Sequence, residues 1–314
     1  VVHIGVVAMR AFATICALAA LAGCAAPEPQ VGSGPALWVV KSSVATVYLF
    51  GTIHLLPVPV AWQTPAIQQA LTNSREIWTE TDIGDAAAVG AAMRVHGMSA
   101  NYDLRAALGP DGWTKMATLL TNCSVPPSNA LHWRPWFAAM GVQYCSMKTA
   151  LHGQAPGIAG AATPDRFLVE LAKTENKQLR YLEPVADQVE LLASRPDAEA
   201  VAVLETALNA KPPQAADTEK LKRAAQQIIA QEAAWARGDV PLVAAILADQ
   251  LKGQDPAVYW AVFTNRNQHF ANSIAATLRR PTVAFVAMGA GHLVGPDNVL
   301  DDLARQGITA RRVE

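Results

Sequence analysis

Several classes of protein are excluded by what this 314-residue sequence lacks. It has no basic tract and a formal net charge of −1, so it lacks the electrostatic footprint of a nucleic-acid binder. It has no acidic tail. No Gly-x-Ser-x-Gly occurs, which leaves a serine hydrolase without its nucleophile elbow. Neither a Walker loop nor a dinucleotide fingerprint is present. The four cysteines include no Cys-x-x-Cys, the commonest signature of a zinc-binding thiol site. No repeat of solenoid period is visible, and no carboxylate pair lies on an aromatic-rich groove of the kind that sugar hydrolysis uses.

What is present begins with a leader. From Met9, one arginine precedes an apolar and small-residue run that ends at Leu21-Ala22-Gly23-Cys24. The run is too short to span a bilayer and reads as a signal peptide over 1–23, with Met9 a candidate true start. Leu-Ala-Gly-Cys resembles the bacterial lipoprotein processing box, which implies acylation of Cys24 and a membrane anchor without a spanning helix. The alternative is an ordinary signal peptide with an incidental cysteine. Residues 24–35 are a Pro/Gly/Ser tether, and Ala25 after the cysteine, by resemblance to enterobacterial sorting, implies the outer membrane, facing the periplasm. Cys123 and Cys145 then remain in the folded part. They are a disulfide candidate in an oxidising compartment, or two buried thiols.

The folded domain is expected over 36–314. Half of the sequence is apolar (51%), enough for a sizeable core. LWVVKSS and TVYLF alternate around a short polar link and predict a hairpin ending at Phe50. Short strands are predicted at Glu76–Thr81, Lys177–Leu182 and Ile308–Val313. The continuous apolar run Thr282–Met288, bounded by Pro281 and Gly289, predicts a buried strand. Between them lie helical patterns at 65–73, 85–96, 104–120 (interrupted at Gly109-Pro110), 134–151, 164–176, 187–208, 218–237, 241–251, 256–279 and 296–306. The expected class is α/β, α+β-like, with a central mixed sheet and a large helical insertion.

Two distant segments share Gly-x-x-His-Leu: Gly51 to Leu55, and Gly289 to Leu293. Each follows a predicted strand. Glycine would let the chain turn off the strand end, and His54 and His292 would then enter the crevice where α/β sheets bind ligands. Glu80 and Glu183 also follow apolar strands. Two imidazoles with one or two carboxylates suit a first-row metal with a position open for water. The plainer alternative is one structural histidine plus an unrelated one.

The motifs LWVVKSSVATVYLFGTIHLLP, EIWTETD, RPW, YLEPVADQVELL, NRN and FVAMGAGHLVGPDNVLDDLARQGITARRV occur in this order. Together they resemble the TraB/GumN family, whose wider group includes the TIKI metalloproteases. The resemblance implies an α/β core whose active centre is His54, His292 and Glu80, and divalent-metal-dependent peptide cleavage supported by manganese or cobalt; zinc is also a candidate. It further points to Glu183 and Gln188, and to Arg266 and Asn267. Glu183 is a candidate ligand or acid/base, or a charge at a helix N-terminus. Arg266 is a candidate holder of a substrate carboxylate or of Glu80, or half of a buried ion pair. His269, three residues after Arg266, is a further candidate ligand. Asp82 is a second carboxylate beside Glu80 or a helix cap. The expected function is a lipid-anchored metal-dependent hydrolase, with a peptide as substrate. The alternative is a binding protein that captures a peptide or haem-like ligand in the same crevice without turnover.

Overall fold

The computed structural model describes residues 34–53, 60–82, 84–150, 163–209, 226–227, 229–251 and 259–313. Cys24, the tether as far as residue 33, His54 and residues 218–225 and 228 of the predicted helix at 218–237 lie outside the described residues. The chain forms two compact units. One contains 25–82, 160–184 and 227–314, and the other contains 83–159 and 185–226.

The first unit is built on a six-stranded mixed sheet. Its strands are β1 (Leu37–Lys41), β2 (Ala45–Thr52), β3 (Glu76–Thr79), β4 (Gln178–Tyr181), β5 (Thr282–Gly289) and β6 (Arg311–Arg312), in the order β4-β3-β5-β2-β1-β6. The predicted hairpin is β1–β2, antiparallel with Leu37 opposite Phe50. Its turn is tied by the Ser42 hydroxyl, which accepts from the backbone N–H of Ala45 at 3.0 Å, as serine does in tight turns. β2 pairs in parallel with β5, β5 with β3, and β3 with β4. These four strands therefore end at one edge of the sheet.

β5 lies in the middle, and its apolar run is what a strand covered on both faces requires. Alternate residues point to opposite faces. Phe285 and Ala287 pack with Leu37, Phe50, Trp62 and Trp235. Ala284, Val286 and Met288 pack with Phe270, Ile274, Val299 and Leu303. Each large side chain buried here contributes about 1.5–3 kcal/mol of transfer free energy. The described helices, in chain order, are α1 (Pro65–Asn73) of the sheet unit and, in the helical unit, α2 (Ala86–Gly97), α3 (Leu104–Asn122) and α4 (Pro135–Ala150). Then come α5 (Pro164–Thr174) of the sheet unit, α6 (Val185–Ala193) and α7 (Asp197–Leu208) of the helical unit, and α8 (Val240–Leu251), α9 (Asn265–Thr277) and α10 (Val299–Arg305) of the sheet unit.

The helical unit has its own apolar cluster, in which Leu104, Met116, Leu120 and Leu204 surround Cys123 and Cys145. Those two cysteines are bonded to each other, with Cα atoms 5.3 Å apart. Arg134 and Trp136 of the RPW motif act within this unit. Arg134 pairs with Asp197 at 2.9 Å, and the Trp136 indole N–H donates to the His96 carbonyl at 3.1 Å. α3 is broken where the sequence predicts, because Gly109 has φ 64° and ψ 177°, a conformation essentially reserved for glycine.

Four boundaries differ from expectation. The predicted helix 187–208 is two helices, α6 and α7, parted just before Asp197 by Pro196, which cannot continue a helix from within. The helix expected from Pro296 starts at Val299, where Asn298 caps it by accepting from the Asp301 N–H at 3.0 Å. β2 does not stop at Phe50 but runs through Gly51 to Thr52, so the first motif glycine sits inside the strand. β3 ends at Thr79, so Glu80 has already left the sheet.

Candidate active site

The parallel register decides what meets at the sheet edge. Thr52 of β2 lies opposite Gly289 of β5, and Gly51 opposite Met288. The two Gly-x-x-His segments thus leave the sheet side by side. Glycine is needed at 51 for room rather than for an unusual backbone angle. A Cβ there would lie 3.0 Å from the Ala290 Cα and 3.2 Å from its Cβ. After β5 a single 3₁₀ turn, Ala290–His292, buries His292 to 4% exposure.

Glu80 and Glu183 reach the same edge. The chain after β4 is tied to the chain after β3, since the Glu183 N–H donates to the Glu80 carbonyl at 2.9 Å. The Glu80 carboxylate lies beside His292, with Oε1 3.8 Å from Nε2. Oε1 also accepts from the Gly289 backbone N–H at 2.6 Å.

Arg266 on α9 stands between the carboxylates. Its Nη2 lies 2.7 Å from Glu80 Oε2 and 2.5 Å from Glu183 Oε1. Its Nε lies 3.1 Å from both Glu183 oxygens. Nη1 donates to the Val262 carbonyl at 3.3 Å and lies 3.1 Å from His292 Nε2. A guanidinium carries five N–H donors, and these contacts occupy all of them. Arg266 therefore braces the site from within, and has no donor left for a substrate carboxylate unless it releases a partner.

The electrostatics follow from that brace. Burial alone would push the Glu80 carboxyl up. The positive field on the His292 side, Arg266 and the Gly289 N–H bring it down instead, to about 2. Nη1 of Arg266 can only donate to the facing His292 nitrogen, which argues for a neutral ring. Without a charge on His292 the lowering rests on Arg266 and Gly289 and is smaller than that value. Burial works against the charge on Arg266, but Glu183 and Glu80 raise its pKa above the ordinary arginine value. Glu80 is ionised throughout the neutral range.

One helical face encloses the histidine. Phe263, Arg266, Asn267 and Phe270 recur at i, i+3, i+4 and i+7, the spacing of one helix stripe. Phe263 and Phe270 flank the His292 ring at centroid distances of 5.4 and 5.1 Å, and Arg266 lies over Phe270 at 5.1 Å. Just before α9, residues Trp260–Thr264 form a π-helical turn, a feature concentrated at functional sites.

The model of the TraB/PrgY/gumN family matches residues 36–312. The chain belongs to that family. A curated relative is Metalloprotease TIKI1 of Danio rerio, 23% identical, with the match covering 91% of this chain and 64% of TIKI1. The chain thus spans less than two thirds of that relative's length. No solved structure matches.

In this TraB/PrgY/gumN protein the predicted residues divide clearly. Glu80, Glu183, Arg266, Asn267 and His292 converge. His54 lies outside the described residues; Ile53 before it packs against the first core cluster. Asp82 is half-buried, two positions beyond Glu80, and the cap of α2 is Asp85, which accepts from the Ala87 and Ala88 N–H groups. Gln188 belongs to α6 of the helical unit. His269 is exposed on α9, whereas Arg266 three residues earlier turns inward. Phe263, Phe270 and the Gly289 N–H were not among the expected site groups. The spacing F-x-x-R-N-x-x-F was the available signal for the two rings; a backbone donor leaves no mark in a sequence.

Among the described residues, no group of three His, Cys, Asp or Glu side chains surrounds one point. The pair Glu80–His292 nonetheless fits a divalent cation by donor type. Carboxylate and imidazole ligands bind first-row ions at about 2.0–2.2 Å, so closing the 3.8 Å gap around a shared ion requires a shift of only a few tenths of an ångström. Arg266 Nη1 would have to yield its contact with Nε2.

Proposed function

We propose that this protein is a divalent-metal-dependent hydrolase that cleaves peptide bonds. The observation that carries this reading is the approach of Glu80 Oε1 and His292 Nε2, at the edge where β2 ends in Thr52 beside Gly289 of β5. The metalloprotease relative supports the same reaction class. Glu80, His292 and His54 would hold the ion; imidazole and carboxylate donors suit manganese, cobalt or zinc. Such a cation, when bound, supplies Lewis-acid polarisation of a carbonyl and acidifies water.

The chain's own residues do the rest. Arg266 keeps Glu80 ionised and aimed at His292, and holds Glu183 by a forked contact. Among the described residues Oε2 of Glu183 receives the Nε contact at 3.1 Å, and with a lone pair beyond it Glu183 would take a proton from the attacking water. Arg266 balances the charge of both carboxylates. Phe263 and Phe270 keep water from the faces of the His292 ring.

Cys24 is proposed as the lipid-bearing residue, which would place the domain at a membrane facing the periplasm. The support is the Leu-Ala-Gly-Cys box at the end of the apolar run; no described helix is long and apolar enough to cross a membrane. Mass spectrometry of the N-terminal peptide from whole cells tests it: an acylated Cys24 is expected, and an unmodified one would refute the anchor. The hydrolase reading is tested by digesting a peptide library with and without chelator. Cleavage that requires added metal and disappears in Glu80→Gln is expected. Cleavage unaffected by chelator, or none with any divalent cation, would overturn it.

A further inference from the structure

The hydrogen bonds around His292 fix more than its position. The Asn267 amide is buried to 1% exposure. Its Nδ2 lies 2.6 Å from the backbone carbonyl of Asp297, and its Oδ1 lies 2.6 Å from His292 Nδ1. A carbonyl only accepts, so the atom facing Asp297 must be the amide nitrogen. The atom facing His292 is then the amide oxygen, which also only accepts. Nδ1 of His292 must therefore carry a hydrogen. The other ring nitrogen, Nε2, faces Arg266 Nη1 at 3.1 Å, and a guanidinium nitrogen only donates. Nε2 must therefore present a lone pair. Reversing any one group would set two acceptors or two donors against each other in a buried site, at a cost of about 1–3 kcal/mol or more.

We infer that Asn267 is a positioning residue that holds His292 as the neutral Nδ1–H tautomer, with the Nε2 lone pair accepting from Arg266 Nη1 on the side where Glu80 lies. The order originates in the backbone. The Asp297 carbonyl orients Asn267, Asn267 orients the proton on Nδ1, and Nε2 is left as the donor atom on the Glu80 side. Histidine ligands of metals are commonly held in this way, with the distal N–H donated to a fixed acceptor. The inference concerns the metal-free protein and stands without the hydrolase reading; its consequence for metal affinity rests on that reading.

The test is nitrogen NMR of full-length protein labelled with ¹⁵N-histidine, metal-free at neutral pH, with the His292 signals assigned by their loss in His292→Gln. Wild type is expected to show protonated Nδ1 and unprotonated Nε2. Asn267→Asp keeps an acceptor toward Nδ1, while its second oxygen meets the Asp297 carbonyl, and is expected to keep Nδ1 protonated. Asn267→Leu has similar volume and no acceptor, and is expected to move His292 largely to the Nε2–H form. A wild-type ring protonated on Nε2, or an Nδ1–H ring unchanged in Asn267→Leu, would overturn the inference. Should Asn267→Leu fail to fold, the wild-type and Asn267→Asp spectra still decide it. Manganese titration of the same samples addresses the metal reading separately. A 10–100-fold weakening in Asn267→Leu with near-normal binding in Asn267→Asp is expected. No manganese binding in wild type would count against the metal reading and leave the tautomer result standing.

Discussion

Gly289 gives its backbone N–H to Oε1 of Glu80 at 2.6 Å, so the end of β5 fixes a carboxylate delivered by β3. Arg266 takes the other oxygen. Glu80 is thus held by a backbone group and a side chain from two different elements, and the site depends on both the parallel register and the seating of α9.

Removing the brace should be costly. Arg266→Met is expected to destabilise the protein by about 3–5 kcal/mol, because two buried carboxylates lose their shared cation. Adding Glu183→Gln should recover part of that loss. Urea denaturation of the single and double variants measures it. Equal stability of Arg266→Met and wild type would show that Arg266 does not carry the network.

Acid should loosen the same region. The Glu80 carboxyl lies below its ordinary value of 4.5 in the folded protein. A depressed folded pKa contributes stability that is present above the unfolded value and is lost as pH falls toward the folded one. Each unit of depression contributes about 1.4 kcal/mol. Glu76, at the opposite end of β3, behaves alike: burial opposes its charge, while hydrogen bonds from Arg280, Thr282 and Trp78 bring it down to about 2. Stability measured from pH 6 to pH 2 should fall mainly between about 4.5 and 2. Glu80→Gln should flatten the curve there.

Gly51→Ala tests the crowding at the edge. Its new methyl would press on Ala290 backbone and side chain at 3.0 and 3.2 Å, and neither can swing away. A loss of about 1–3 kcal/mol is expected, read as a lowered thermal midpoint. Asp85→Ala, which removes the cap of α2, should cost about 1 kcal/mol and serves as the reference for a change in the helical unit.

The Cys123–Cys145 bond closes a loop with a sequence separation of 22. Replacing both cysteines by serine should cost about 3 kcal/mol on the chain-entropy scale. Reductant should lower the melting midpoint of wild type and leave the double variant unchanged.

The sequence revealed strands better than it revealed their companions. β5 was legible because a strand covered on both faces must be apolar throughout, and Thr282–Met288 is. The hairpin was legible because its residues alternate. The repeated Gly-x-x-His pointed to one sheet edge, and the register sets Thr52 opposite Gly289 there; His54 lies outside the described residues. The reason for Gly51 was not legible, because it lies in contact with Ala290, far along the chain. Pro196 marked the break between α6 and α7, yet the apolar residues on both sides suggested one helix. Phe263 and Phe270 had no role beyond membership of the predicted helix at 256–279; the position of His292 makes them walls of a site. The forked contact of Arg266 with Glu183 joins elements that no sequence spacing relates.

The most direct measurement is the metal stoichiometry and affinity of purified wild type, His54→Ala, Glu80→Gln and His292→Ala, by titration calorimetry with manganese, cobalt and zinc. The account predicts one ion per chain in wild type, with affinity reduced at least ten-fold in each variant while circular dichroism confirms an unchanged fold. Wild-type affinity in all three variants would contradict a shared site at the ends of β2, β3 and β5.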